Sequence, residues 1–238
     1  MRDLEQLADG VFVLAGFPRY AVNVYLLDDV LVDAATRWHA GPIIRQLRGR
    51  KLMAHALTHV HPDHQGASHA ICESLRLPLW CSDVDAPAME IRGEMESHAT
   101  RHWLNRWIGP ILAGPPHPVS RRLNEGDRVG SFVVIETPGH TAGHLSLWRE
   151  SDRILVVGDV LANMHIMSGR TGLREPPLFF SLNPAENRRS ARRLSELNAA
   201  LVCFGHGPPL RDGHLLRDFV SNLGSFEDSD GKGDSHAP

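Results

Sequence analysis

The strongest constraint on this chain is a strand-like run, KLMAHALTH (residues 51–59), that ends in a crowd of metal-capable side chains. His59, His61, Asp63 and His64 fall within six positions of one another. In an extended segment residues i and i+2 point the same way, so His59 and His61 can reach one ion together. Pro62 then turns the chain and aims Asp63 and His64 at a neighbouring position. Neutral imidazole and carboxylate are the usual donors to zinc and similar ions. Four such donors in six positions have no common structural explanation. Two ions need six or seven ligands, so the rest must come from elsewhere. Three further candidates stand at strand ends beside glycine: His140 in TPGHTAGH, Asp159 in VVGD and His206 in CFGHG. Glycine lets the backbone turn sharply and approach a site closely. Functional side chains are often found where a strand runs out into a loop held by a rigid scaffold.

Hydrophobic patterning organises the chain around these points. Strands are expected at residues 11–17, 22–29 and 30–35, the last ending near Asp33, with an amphipathic helix at 39–48. A helix is expected at 65–76 and a short strand at 78–81. Residues 83–112 read as a helical insertion carrying Trp103 and Trp107, closed by the proline-rich GPPHP at 114–118. Strands resume at 131–138, 144–150 and 153–159. The clearest helix runs over 184–197, opened by Pro184, with Ala185, Ala191, Leu194 and Leu197 on one face. A last strand, 199–207, ends at His206. Two sheets packed face to face with helices outside would bury this pattern. Residues 1–224 are expected to form one domain, and the polar, acidic 225–238 a disordered tail.

Composition excludes several partners. A net charge of −3 leaves no electrostatic footprint for nucleic acid or an anionic membrane. No apolar run approaches the length of a membrane span. Cys72, Cys81 and Cys203 are odd in number and scattered, which suits free thiols in a reducing compartment. The start of the chain lacks an apolar signal core. The expected setting is the cytoplasm and the expected partner a small-molecule substrate, with the oligomeric state left open between monomer and homodimer.

The motif THVHPDH resembles the HxHxDH signature of the metallo-β-lactamase superfamily. TPGHTAGH, GD and GHG follow in that family's order, and LVDAA with Asp33 is similar to its early aspartate at a strand end. The resemblance covers roughly residues 10–220 and is closest in motif to glyoxalase II-like and lactonase members. It implies an α+β fold, a four-layer αββα sandwich with a dinuclear site at one edge of the sheets. By motif, His59, His61 and His140 would hold one metal, and Asp63, His64 and His206 the other, with Asp159 bridging. Asp33 would orient a ligand or the loop backbone, and His144 would support the site rather than bind metal.

Two divalent ions side by side lower the pKa of a water bound between them, and polarise a substrate carbonyl. With this chemistry, the resemblance implies hydrolysis of a small ester, thioester or lactone by a metal-bridging hydroxide, with Asp63 and Asp159 as the catalytic carboxylates. Zinc is the metal expected from ligand type, and iron or manganese fit the same donors. Two alternatives stay open on the same fold: a mononuclear iron, persulfide dioxygenase-like oxidoreductase, and β-lactamase-type amide hydrolysis. The latter branch often uses a lysine for the substrate carboxylate. No lysine lies near these motifs, and Arg170 or Arg174 could replace it. Glyoxalase II proteins carry a basic, helical C-terminal extension, whereas about 30 residues follow His206 here. The segment after Asp159 reads as a substrate loop or a plain crossover, with His165 as an extra polar group. His55, His69 and His214 are set aside as ordinary core or surface histidines. His98 and His102 stand at helical metal-binding spacing, but Ala99 occupies the position where a zincin carries glutamate, so they too are read as structural.

Overall fold

The computed structural model describes residues 4–14, 16, 18–91, 109 and 111–224. The first sheet contains seven strands in sequence order: β1 (Glu5–Ala8), β2 (Val11–Val13), β3 (Tyr25–Leu27), β4 (Val30–Val32), β5 (Ala54–Ala56), β6 (Leu79–Ser82) and β7 (Val119–Leu123). The first four strands pair antiparallel, and β4 to β7 pair parallel. The second sheet has the order β14-β11-β10-β9-β8, built from β8 (Arg128–Val129), β9 (Phe132–Glu136), β10 (Leu145–Arg149), β11 (Ile154–Gly158) and β14 (Leu201–Phe204). Its one parallel pair is β11 with β14. Parallel neighbours need crossover connections. Helix α1 (Ala40–Leu47) supplies one between β4 and β5, and α2 (Pro62–Gln65) with α3 (Ser68–Leu75) another between β5 and β6. Helix α4 (Ala86–Glu90) follows β6, α5 (Pro184–Ser195) precedes β14, and α6 (Gly213–Ser221) follows it.

The period-2 alternation of strands sorts side chains into three apolar layers. Val30 and Val32 of β4, Ile154 and Val156 of β11, and Leu201 and Cys203 of β14 meet between the sheets, around Tyr25 and Phe132. Leu31 points the other way, against Ile43 and Leu47 of α1 and Ile71 of α3. Leu155, Val202 and Phe204 likewise face Ala191 and Leu194 of α5 and Leu216 and Val220 of α6. The result is helix, sheet, sheet, helix: the expected four-layer sandwich. Helix α5 begins where Asn183 accepts a hydrogen bond from Glu186 N and Pro184 occupies the first turn.

Several expectations shift. The strand expected over 30–35 stops at Val32, because Asp33 and Ala35 adopt φ of 62° and 55°. Strands β1 and β7 and helix α6 were not expected. The segment after Asp159 is neither a long loop nor a plain crossover. It forms a hairpin of β12 (Ala162–Met164) and β13 (Thr171–Arg174), followed by a 3-10 turn at Leu178–Phe180. Of the expected insertion at 83–112, helix α4 is described. His98, His102, Trp103 and Trp107 lie outside the described residues, as does the tail at 225–238.

Candidate metal centre

Register explains why distant residues meet. In the parallel pair β4–β5, Val32 stands beside Ala56, so the next residues, Asp33 and the Leu57–His59 turn, leave the sheet together. In β11–β14, Gly158 stands beside Phe204, so Asp159 and His206 leave together. Strand β10 is antiparallel to β11 and starts where β11 ends, which places the turn 137–144 with His140 at the same edge. The two edges are stitched by Leu145 N donating to Thr58 O at 2.8 Å and Asn23 N donating to Gly205 O at 2.8 Å. Tyr25 Oη and the Asn23 amide both donate to Phe204 O.

All seven sequence-predicted side chains converge there. Asp159 Oδ2 lies 3.1 Å from His206 Nε2, 3.5 Å from His64 Nε2, 3.5 Å from His140 Nε2 and 4.0 Å from His59 Nε2. His206 Nε2 is also 3.3 Å from Asp63 Oδ2. Three sets offer donor atoms mutually within 4.8 Å: His59, His61 and His140; His59, His64 and Asp159; and Asp63, His64 and His206. His59 Nε2, His140 Nε2 and Asp159 Oδ1 are buried without a hydrogen-bond partner. Such orphaned atoms carry a desolvation penalty, which a cation coordinated among them would remove. The residues therefore fit a divalent metal pair on donor type, convergence and missing partners. Asp63 is the more open of the two carboxylates, with 30% of its side chain exposed against 8% for Asp159.

The far nitrogen of four imidazoles is occupied, which fixes how each ring turns. His64 Nδ1 faces Asp33 Oδ2 at 2.9 Å. The Thr58 hydroxyl donates to Asp33 and so receives His59 Nδ1–H at 3.0 Å. His140 Nδ1 meets Ser181 Oγ at 3.2 Å, and His206 Nδ1 donates to Ala21 O. Each ring then directs Nε2 inward, the arrangement that metal-binding histidines generally require. His144 behaves differently. Its Nε2 accepts Asp159 N–H at 3.0 Å, and its Nδ1 meets Thr137 Oγ1 at 2.8 Å. It holds the backbone of Asp159 and has no nitrogen left for a metal.

Sequence reasoning did not single out Thr58, Ser181 or Asp85. Asp85 is fully buried and accepts from Thr141 Oγ1 at 2.9 Å and Gly143 N at 3.0 Å, anchoring the His140 turn to the first sheet. A buried aspartate beside a turn has no distinctive spacing, so no signal marks it. His165 lies in the hairpin turn, where Ser168 N donates to its Nδ1 at 3.2 Å. With Ser168, Arg170, Thr171 and Arg174 it lines a shallow cleft of about 440 Å³ that none of the seven converging residues touches.

Charge divides the cluster. Burial and neighbouring histidines hold His59 and His140 well below the ordinary imidazole pKa, and burial pushes His61 down to about 4. These three are neutral donors at physiological pH. Burial also opposes charge on His64 and His206. There the carboxylates outweigh it: Asp159 and Asp33 raise His64, and Asp159 and Asp63 raise His206 to about 10. Asp63 and Asp159 resist their own burial because of these cations and stay ionised.

The sequence model of the metallo-beta-lactamase superfamily matches residues 18–206. The chain belongs to that superfamily. Among relatives of this metallo-beta-lactamase superfamily member, the probable metallo-hydrolase YflN of Bacillus subtilis (strain 168) is 27% identical over 210 residues, 80% of each chain. A hydroxyacylglutathione hydrolase of Fuscovulum blasticum is 36% identical over 183 residues, 74% of this chain but 56% of that one, so the match spans little more than half of that relative. TTHA1623, solved in a di-iron-bound form, is 30% identical with a TM-score of 0.60, covering 82% of this chain and 91% of that one. BLEG-1, a B3 metallo-beta-lactamase, is 25% identical with a TM-score of 0.66 over 88% and 99% of the two chains. The fold expected from the motifs and the fold of these relatives agree.

Proposed function

We propose that the protein is a dinuclear metal-dependent hydrolase of a small ester, thioester or lactone. The observation that carries this reading is the ring of inward Nε2 atoms around Asp159 Oδ2, with three buried donor atoms left without partners. His59, His61 and His140 would hold one ion, and Asp63, His64 and His206 the other. Asp159 would be shared between them. Zinc is the proposed metal on donor type. Bound there, two divalent ions supply Lewis acidity toward a carbonyl oxygen and acidify water. The chain's own residues do the rest. Asp33, Thr58, Ser181 and the Ala21 carbonyl fix the imidazole orientations. His144 holds the backbone of Asp159. Asp63, the most open carboxylate, is placed to carry a proton toward the leaving group.

The hydroxyacylglutathione hydrolase relatives support a thioester as one substrate class. The intact second donor set favours hydrolysis over single-iron oxygen chemistry. The test is a panel of small esters, thioesters and lactones, offered to metal-loaded protein without oxygen. Release of a carboxylate product, lost on Asp159→Ala, is expected. Turnover that requires oxygen would overturn the reading.

A further inference from the structure

A second group of donors lies away from the metal centre. His69 and Glu73 stand one turn apart on α3, so their side chains share a face. His117, in the proline-rich segment before β7, packs against them. His69 Nδ1 and His117 Nδ1 are 3.3 Å apart, with ring centroids at 5.3 Å and planes at 77°. His117 Nδ1 is 3.9 Å from Glu73 Oε1, and His69 Nδ1 is 3.1 Å from the Pro116 carbonyl oxygen.

The main centre supplies an internal yardstick. His64 and His206 present their nitrogens 3.5 Å apart, with centroids at 5.3 Å and planes at 85°. The two pairs are nearly the same in distance and angle. A mutual hydrogen bond does not use the His69–His117 pair fully. With both rings protonated on Nε2, the two Nδ1 lone pairs face each other at 3.3 Å beside the Pro116 carbonyl oxygen, and a cation between them would hold all three. Burial and His69 hold His117 below the ordinary imidazole pKa, so its ring is neutral at neutral pH. Glu73 is 66% exposed and free to swing toward the nitrogens. The backbone around the group is fixed: His117 N donates to Met89 O at 2.9 Å, and a Cβ on Gly114 would lie 2.1 Å from Gly66 O.

We propose that His69, His117 and Glu73 form a separate divalent-cation site, with the Pro116 carbonyl as an available oxygen donor. Two imidazoles and a carboxylate suit zinc or a similar ion. Bound there, the ion clips residues 114–118 to α3, the helix that directly follows the Asp63–His64 turn. The site is a structural or regulatory one, since it is partly open and lies outside the seven converging residues. No spacing motif connects His69 with His117, which are far apart along the chain.

The experiment is zinc titration of the tag-free full chain by calorimetry, repeated with His117→Asn and Glu73→Gln. The equivalent bound at this site is read as the difference between the wild type and His117→Asn. It therefore stands whether the main centre holds two ions, one or none. The expected result is one equivalent fewer in His117→Asn, and an affinity for that equivalent about tenfold or more weaker in Glu73→Gln. The rise in thermal midpoint on adding zinc should shrink in both variants, while the zinc-free midpoints match the wild type. Equal stoichiometry in the wild type and His117→Asn would overturn the proposal. So would an undiminished affinity in Glu73→Gln.

Discussion

Asp33 Oδ2 lies 2.9 Å from His64 Nδ1, joining the end of β4 to the helix turn that follows β5. The same carboxylate accepts Thr58 N–H at 2.8 Å and the Thr58 hydroxyl, which in turn holds His59. One buried aspartate thus orients an imidazole in each of the two proposed metal sets, reaching His59 through Thr58.

Asp33→Asn keeps the shape but removes the charge and can turn an amide N–H toward His64. Losing a partner behind a metal ligand costs about 10–100-fold in metal affinity. Competition against a chromophoric chelator should show that loss, greater for the ion beside His64. Unchanged affinity would show that Asp33 does not position the ligands.

The two donor sets should differ in their response to pH. His59, His61 and His140 are neutral at neutral pH and carry no proton on the inward nitrogen, so filling their set displaces none from them. His206, raised to about 10 by Asp159 and Asp63, must give up a proton first. His64 is raised in the same direction. Below those pKa values protons compete with the ion, so affinity rises with pH by roughly tenfold per unit for each proton displaced. Calorimetry between pH 6 and 8 should show a steep dependence for one ion and a shallow one for the other. Two parallel dependences would contradict this charge division.

Gly205 is where the site tolerates no side chain. A Cβ there would lie 2.0 Å from Asp159 Oδ1 and 2.8 Å from His64 Cε1. Gly205→Ala should displace the Asp159 carboxylate and remove most of the proposed hydrolytic activity. The fold should survive, because the clashes are with the side chains of Asp159 and His64 at the sheet edge rather than with backbone. Wild-type turnover in the folded variant would mean that Asp159 is not held where the structure places it.

His55 sets a stability dependence outside the site. It is buried on β5, with Nδ1 at 3.1 Å from Leu31 O and Nε2 at 2.8 Å from Ser68 Oγ. Burial lowers its pKa to about 4 from an ordinary value near 6.5. Between those values the unfolded chain binds the proton and the folded chain does not. Its contribution is therefore complete above pH 6.5 and is lost as pH falls toward 4, about 3 kcal/mol in all. Urea unfolding of metal-free protein should show stability falling across this window, and less steeply for His55→Gln. Equal slopes would contradict the assignment.

The seven converging residues were legible because their chemistry is written locally: a strand end, then histidine or aspartate, in three places beside glycine. The αββα layering was legible from alternation in strands such as Val30–Val32 and Ile154–Gly158, together with the family motifs. The supports were not. Asp85, Ser181 and the Ala21 carbonyl act through contacts made only after the two sheets close, and none sits in a recognisable spacing. The hairpin after Asp159 was missed because Thr171–Arg174 is a short, partly exposed strand without alternation. Strand β7, VSRRL, was missed because its pairing with β6 comes from the tertiary fold rather than from apolar periodicity.

The most direct test of the central claim joins metal content to turnover in one preparation. Protein purified without chelators and dialysed against metal-free buffer should retain two tightly held divalent ions per chain. The same sample should cleave an ester, thioester or lactone in the absence of oxygen. A single iron per chain, with turnover only when oxygen is present, would contradict the account.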